Sequence, residues 1–257
     1  MSSNADTRRL ELDDLYCLRL VSDPQLSPDG SRVAFVVTTP DRDKDTNRSV
    51  IWIASFDGGD GEPPRPLTAG ERDSSPRWSP DGKALAFVSA RGEGAKPQIW
   101  LLPSDGGEAR AVTAAKDGAV SPVWSPDGAR LAFLGPVHLE PVGDDPAAAA
   151  AKNKPIVVTT VQYKSDGEGL LGDQRLHLFV CDAAGNGGGE PQQLTSGDYS
   201  VGSPSWSPDG SRLTFASSRH EGRDLLRLTA VDADDEQAGV PDRDVQRAGV
   251  HDGPAVR

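Results

Sequence analysis

The tetrapeptide Ser-Pro-Asp-Gly occurs four times in this chain of 257 residues, beginning at Ser27, Ser79, Ser125 and Ser207. A sequence unit that recurs at a regular interval constrains the fold more strongly than any single residue does. The steps from one proline to the next are 52, 46 and 82 residues, and the first two fit a propeller blade of about 40 to 50 residues. We expect the third step to contain one blade and an insertion.

Turn chemistry explains each copy of this unit. Serine is favoured at the first position of a type I turn, proline at the second because its φ is preset, and glycine at the fourth. Larger residues alternate with smaller ones after every copy, which predicts that the turn joins two strands of a hairpin. A tryptophan precedes three of the copies, and we expect it to fill the space between neighbouring blades. The residues to which we assign these structural roles are Pro28, Asp29, Gly30, Trp78, Pro80, Asp81, Gly82, Trp124, Pro126, Asp127, Gly128, Trp206, Pro208, Asp209 and Gly210.

Further strands follow each hairpin. Apolar segments predict third strands at residues 50–53, 99–102, 177–180 and, less cleanly, 225–228. A glycine-rich turn and a short strand ending in Leu-Thr or Val-Thr close the first three units. We therefore predict an all-β fold, a β-propeller of about four four-stranded blades that form a partial ring, with a short N-terminal lead-in and a poorly ordered C-terminal tail. Because successive strands are antiparallel, the Ser-Pro-Asp-Gly turns share one end of the blades and the variable loops share the other.

The predicted boundaries follow from where this pattern starts and stops. They are a lead-in at residues 1–22, the blades at residues 23–232 and an irregular tail at residues 233–257. Within the lead-in, an aspartate before Leu15 predicts one or two capped helical turns. The insertion covers residues 136–174, where residues 156–161 have the composition of a strand, and we expect it to form a projecting flap.

The composition excludes some classes of partner and compartment. A net charge of −12 and a pI near 4.7 oppose binding to a phosphate backbone, so we expect no nucleic-acid partner. No apolar run of about 18 residues occurs, as a membrane-spanning helix would need. No apolar segment of the kind found in a secretory signal follows Arg8 and Arg9. We therefore expect a soluble, cytoplasmic protein with no membrane partner.

The sequence offers no metal or cofactor site. Cys17 and Cys181 are far apart and lack any paired spacing, so neither a disulfide nor a zinc site is predicted. The segment from Asp41 to Asp45 begins like a calcium-binding loop, but Thr46 stands where glycine is required and Trp52 where glutamate is required. A solvated loop is the better interpretation, and we expect no cofactor.

The repeated unit and its surroundings resemble a known family. Trp-Ser-Pro-Asp-Gly blades, the lead-in from Val21 to Gly30 and the region from Gln162 to Tyr199 are similar to the N-terminal propeller of the prolyl oligopeptidase family. The acylaminoacyl peptidases and dipeptidyl aminopeptidases are the most similar branch, and the resemblance covers about residues 10–232. It implies a serine peptidase in which a propeller of about seven blades caps an α/β-hydrolase domain, encloses the active site and admits short peptides.

This sequence departs from the family in its chemistry. No serine has glycine both two places before and two places after it, so there is no nucleophile elbow. No candidate nucleophile accompanies any of the histidines, which are His138, His177, His220 and His251. We assign no catalytic residue and expect a propeller fragment that is inactive alone, whose partners are peptides and a hydrolase domain in the same or a separate chain.

One loop is a candidate for contact with substrate. The residues Arg219, His220, Glu221 and Arg223 lie on the variable end of the blades, where the family presents residues to the substrate cavity, and their charges suit a peptide terminus. An ordinary solvated loop is the alternative. For the whole chain, the alternative is a stand-alone scaffold of the Tol-propeller or WD-repeat kind that binds protein partners.

Overall fold

The structure is a computed structural model that describes residues 9–56, 63–92, 94–139, 163–165, 169–170, 172–184, 191–217, 219 and 232–237. The chain divides into two compact units, residues 1–110 and residues 111–257. The first unit contains two antiparallel sheets, and the described part of the second unit contains two more and a small two-stranded sheet. Each of the four larger sheets is built around one Ser-Pro-Asp-Gly turn. The boundary between the units falls in the last strand of the second sheet.

A short helix precedes the first sheet. It is a 3-10 helix at Leu12–Cys17, within the stretch where the sequence predicts one or two helical turns. The backbone N–H of Glu11 donates to the carboxylate of Asp14 at 2.8 Å, which satisfies one of the donors that a helix start leaves unpaired. The first strand begins at Leu20, two residues before the predicted end of the lead-in.

The two sheets of the first unit have four strands each, in sequence order. The first sheet consists of β1 (Leu20–Leu26), β2 (Arg32–Asp41), β3 (Thr46–Ser55) and β4 (Arg65–Pro66). The second sheet consists of β5 (Asp73–Trp78), β6 (Ala84–Ser89), β7 (Gln98–Pro103) and β8 (Arg110–Ala111). The hairpin of the first sheet is the longer one, since β2 and β3 pair as far as Asp41 and Thr46, whereas β6 and β7 pair only to Ser89 and Gln98.

The third sheet contains the predicted insertion. Its strands are β9 (Val120–Trp124), β10 (Arg130–His138), β13 (Gln174–Asp182) and β14 (Gln192–Gln193). The insertion includes the two-residue strands β11 (Lys164–Ser165) and β12 (Gly169–Leu170), which pair with each other. Because β10 and β13 pair as far as His138 and Gln174, both ends of the predicted insertion belong to the hairpin. The predicted strand at residues 156–161 lies outside the described residues.

The fourth sheet differs from the prediction in its third strand. Its described strands are β15 (Val201–Trp206), β16 (Arg212–Ser217) and β17 (Asp232–Gln237). Strand β17 pairs antiparallel with β16 along its full length, so the third position is filled by residues that the sequence assigned to the irregular tail. Residues 225–228, where the sequence predicted this strand, and residues 238–257 lie outside the described residues.

These sheets confirm the predicted all-β propeller fold. The turns have the same bonds in all four repeats. The N–H of the glycine donates to the serine carbonyl oxygen at 2.9 Å, and the serine hydroxyl donates to the aspartate at 2.5–2.7 Å. The hydroxyl also accepts from the N–H five residues ahead at 2.9 Å. Each glycine has a φ between +70° and +73°, which costs glycine little.

A bulge in the first strand of every blade was not predicted. The residue before the strand's proline has a positive φ of 48° to 54° in all four blades, namely Asp23, Ser75, Ser121 and Ser203. At each of these places the pairing with the second strand shifts its register. An extra residue in one strand of a pair bends that strand and raises its local twist.

The apolar core of each unit lies between its two sheets. In the first unit Ala34, Val36, Ile51 and Ile53 pack against Trp78, Leu85, Phe87 and Leu102. In the second unit the buried residues are Ala132, Leu134, Leu178, Val180, Leu194, Val201, Leu213 and Phe215, with Trp206 packed against them. The indoles also join sheets within a unit, because Trp78 Nε1 donates to Gln25 O at 3.0 Å and Trp206 Nε1 to Val123 O at 3.2 Å.

Candidate functional site

We call the end of a sheet that carries the Ser-Pro-Asp-Gly turn its turn end, and the opposite end its loop end. The predicted substrate-gating loop starts at the loop end of β16. Arg219 is half-buried there, and His220, Glu221 and Arg223 lie outside the described residues. The geometry of this candidate site is therefore built from Arg219 and the residues around it.

Aromatic rings hold the guanidinium of Arg219. Its carbon Cζ lies 4.1 Å from the ring centroid of Tyr199 and 5.4 Å from that of Phe215. Its Nε donates to the hydroxyl of Ser217 at 3.3 Å. A guanidinium within about 6 Å of a ring centroid is attracted by the ring's negative face. The sequence predicted a solvated loop or a substrate contact for Arg219, and this stacking was not predicted.

The loop that contains Tyr199 is hydrogen-bonded to the third sheet by a buried histidine. The side chain of His177 is 1% exposed, and its Nε2 lies 3.1 Å from the carbonyl oxygen of Gly197. Its Nδ1 lies 3.1 Å from the hydroxyl of Thr195, which also accepts from Leu178 N at 2.9 Å. These contacts assign the neutral tautomer with a proton on Nε2, because a carbonyl oxygen can only accept.

Burial lowers the pKa of His177, although its bond to Gly197 O acts in the opposite direction. The positive charges of Arg219 and Arg175 lower the pKa further. Because the folded-state pKa lies below its ordinary value of about 6.5, the stability that the neutral ring contributes is complete above that pH and decreases as the pH falls.

The pair Thr195 and His177 resembles a nucleophile and its base, but it is not available for catalysis. Both side chains are buried, and the threonine hydroxyl already has two partners. A nucleophile must reach the carbonyl that it attacks. The structure thus assigns this pair a structural role.

A salt bridge and a histidine–carboxylate contact flank this loop on the side of the insertion. The guanidinium of Arg175 contacts the carboxylate of Asp198 at 2.9 Å. His138 Nδ1 lies 2.9 Å from the carboxylate of Asp173, and its Nε2 lies 3.9 Å from that of Asp117. Polar side-chain contacts thus hold the base of the insertion and the loop that contains Tyr199, while Arg219 lies over the tyrosine ring.

Metal and thiol chemistry have little support in the described part of the chain. No group of three or more candidate metal ligands occurs among those residues. The oxygen Oδ1 of Asp41 accepts from the N–H groups of Asp43 and Lys44, as in an ordinary Asx turn. Burial raises the pKa of the Cys181 thiol to about 11, which makes it a poor nucleophile at neutral pH. Of the described helices, none has the length and apolarity needed to cross a bilayer.

Comparison with known proteins connects this fold to peptidases. Residues 18–138 match the TolB β-propeller domain. The uncharacterized peptidase YuxL of Bacillus subtilis is 38% identical over 219 residues, which are 84% of this chain and 32% of that protein. The chain carries a TolB-like β-propeller domain. Dipeptidyl-peptidase 5 of Porphyromonas endodontalis is 27% identical to the propeller chain over 217 residues, 80% of this chain and 30% of that protein.

A solved structure has the same fold. The acylaminoacyl peptidase of Pyrococcus horikoshii superposes with a TM-score of 0.66 at 21% identity, covering 92% of the propeller chain and 33% of that chain. Together with the peptidase relatives, this confirms the resemblance to the propeller of the prolyl oligopeptidase family. The propeller chain spans about a third of the length of the curated relatives that it matches, 32% and 30%.

Proposed function

We propose that this chain is the propeller part of an acylaminoacyl-peptidase-like serine peptidase, and that its loop end restricts which peptides reach a hydrolase domain. The observation that carries the proposal is the 38% identity to a peptidase over 84% of this chain. The chain alone is inactive in this proposal, because its sequence has no nucleophile elbow and because its Thr–His pair is buried.

Inactivity of the isolated chain is tested with two probes. The purified 257-residue chain is incubated with a chromogenic N-acyl peptide and, separately, with a fluorophosphonate that labels activated serines. We expect neither product nor label, while a known serine peptidase gives both under the same conditions. Turnover or labelling of the chain would refute its inactivity.

The hydrolase partner is tested by co-purification of the tagged chain from the cells that produce it. The expected partner is a polypeptide that contains a G-x-S-x-G segment and that cleaves acyl peptides in the complex. A stoichiometric partner without such a segment would contradict the proposal. This result is independent of the assay on the isolated chain.

In this gating role we expect Arg219 to bind the peptide. Its guanidinium lies over the ring of Tyr199, so it can meet a carboxylate or carbonyl of a peptide with little loss of side-chain entropy. In the hydrolase complex, Arg219→Gln is expected to raise KM for short acidic peptides several-fold with little change in kcat. The matched control is Arg212→Gln, since Arg212 begins the same strand at its turn end. Equal effects of the two substitutions on KM would show that Arg219 does not contact the peptide.

A stand-alone scaffold is the second candidate function. It is favoured by the match of residues 18–138 to the TolB β-propeller domain. In this case the chain binds a protein partner without any hydrolase, and the partner recovered by co-purification binds the purified chain directly. The same co-purification experiment therefore separates the two functions.

A further inference from the structure

Three arginines of the first unit, Arg32, Arg42 and Arg91, lie over aromatic rings. Arg42 and Arg91 both lie at a loop end, and they differ in what else they contact. The carbon Cζ of Arg42 is 5.3 Å from the ring of Tyr16, and its guanidinium contacts the carboxylate of Asp13 at 2.9 Å. The carbon Cζ of Arg91 is closer to a ring, 4.0 Å from that of Trp100, and its Nε donates to the hydroxyl of Ser89 at 3.4 Å.

The strands explain why Arg91 stacks in this place. Phe87 and Trp100 are directly opposite each other in the pairing of β6 with β7, so both side chains are on one face of the sheet. Ser89 is two residues after Phe87 and shares that face. Arg91 follows the end of β6, and its guanidinium folds back over both rings, at 5.9 Å from that of Phe87.

The side chain of Arg91 is accessible to an anion. Arg91 is exposed to solvent, and among the described residues no carboxylate contacts it. The chain has 39 acidic residues against 27 basic ones, so an arginine held in one geometry with no acidic partner in the described part of the chain stands out. The planar guanidinium offers two parallel N–H donors that match the two oxygens of a carboxylate.

We propose that Arg91, positioned by Trp100 and Ser89, binds a carboxylate of a peptide ligand at the loop end of the second sheet. The carboxylate is either the free C-terminus of the peptide or the side chain of an Asp or Glu residue. This site lies on a different sheet from Arg219 and requires no hydrolase domain. Its test is therefore independent of the proposed function.

Three peptides distinguish the sources of the carboxylate. They are N-acetyl-Ala-Gly-Ala with a free C-terminus, the same peptide as its amide, and N-acetyl-Ala-Glu-Ala amide. Binding to the full chain is followed by tryptophan fluorescence, because the ligand would contact the cation that lies on Trp100, and by calorimetry. We expect saturable binding of one or both acidic peptides, weakened by added salt, and no binding of the neutral amide.

Variants identify the residue responsible. Arg91→Gln is expected to weaken binding about tenfold or more, and Arg91→Lys less, because a lysine keeps the charge but loses the paired donors. Trp100→Phe keeps an aromatic ring under the cation, so the calorimetric signal persists while the fluorescence change is lost. Arg42→Gln is the matched control and leaves binding unchanged, since Arg42 is already paired with Asp13.

Several results would overturn the proposal. They are equal binding of the neutral amide, no binding of any of the three peptides, or an unchanged dissociation constant in Arg91→Gln. An equal loss in Arg42→Gln would also overturn it, because the effect would then reflect net charge. The urea midpoint of each variant is measured alongside, so that a loss of binding in a folded variant is attributed to the site.

Discussion

The turn end and the loop end of each blade have opposite characters. At the turn end, four copies of one tetrapeptide form the same set of hydrogen bonds, with distances that agree within 0.2 Å. At the loop end the blades differ. The hairpins of the first and third sheets extend to Asp41 and His138, whereas those of the second and fourth end at Ser89 and Ser217. Each of these two serines accepts from the Nε of a stacked arginine two residues later.

This difference shows how a repeat protein separates stability from specificity. The turn end is determined by local chemistry, so each copy folds in the same way whatever its neighbours are. The loop end has charged and aromatic residues in arrangements that occur once or twice. We therefore expect substitutions at the turn end to change stability, and substitutions at the loop end to change binding.

The largest effect is expected for Trp78→Ala, beside a turn. Trp78 is 9% exposed, its Nε1 donates to Gln25 O at 3.0 Å, and the guanidinium of Arg32 lies over its ring. Removing a buried aromatic side chain typically costs about 3–5 kcal/mol in the free energy of unfolding. Urea denaturation measures this loss. A cost below about 1 kcal/mol would mean that Trp78 does not join the two sheets.

A smaller effect compares two closing threonines at the loop end. The hydroxyl of Thr195 serves both Leu178 N and His177 Nδ1, whereas that of Thr68 accepts from Ile51 N at 3.1 Å. Thr195→Val leaves two buried polar groups without their partner and should cost about 2 kcal/mol, against about 1 kcal/mol for Thr68→Val. The two urea midpoints give the comparison. Equal costs would show that His177 gains nothing from this hydroxyl.

Much of the turn end could be predicted from the sequence, because its bonds are local. The pairs of Ser27 with Asp29 and of Ser79 with Asp81 connect residues two apart, and turn propensities describe such contacts well. The bulge at Asp23 could not be predicted in this way. A residue before proline is normally extended, and its positive φ of 48° reflects pairing with the second strand.

The loop end depended on tertiary position and was predicted less well. Strand β17 is rich in acidic residues and shows no apolar alternation, so composition assigned it to the tail, although pairing with β16 places it in the sheet. The stacking of Arg219 on Tyr199 joins residues 20 apart in sequence. The spacing Phe-x-Ser-x-Arg recurs at residues 87–91 and 215–219, but it does not show which distant ring the arginine meets, and the gating loop could be predicted only by its place in the family.

A still smaller effect is expected from a substitution that tests the backbone conformation of the turn. Gly30 has a φ of +73°, and a Cβ added there would meet no atom within 4 Å. Gly30→Ala therefore tests conformational strain alone and should cost about 1 kcal/mol. Gly172→Ala, at a glycine with equal open space and no positive φ, should cost almost nothing. If thermal unfolding gave the same midpoint for both variants, the left-handed conformation would not be what requires glycine.

The smallest effect concerns the charge of the turn. The bond from the Ser27 hydroxyl, with help from the N–H and hydroxyl of Ser31, holds the pKa of Asp29 at about 2. Because this lies below the ordinary value of about 3.9, the ionised carboxylate stabilises the folded state above pH 4, and that contribution is lost as the pH falls towards 2. Asp29→Asn should therefore show a smaller fall in melting temperature between pH 5 and pH 2.5 than the parent chain.

A carboxylate outside the network provides the control for this pH effect. Asp105 is exposed in the turn after β7, and Asp105→Asn controls for the loss of one surface carboxylate. Asp209 has the same bonds in the fourth repeat and a pKa of about 2, so Asp209→Asn should reproduce the effect of Asp29→Asn. The effects of Asp29→Asn and Asp209→Asn on the melting temperature could instead differ as much as Asp29→Asn differs from the control. In that case the four turns, although uniform in geometry, would contribute unequally to stability.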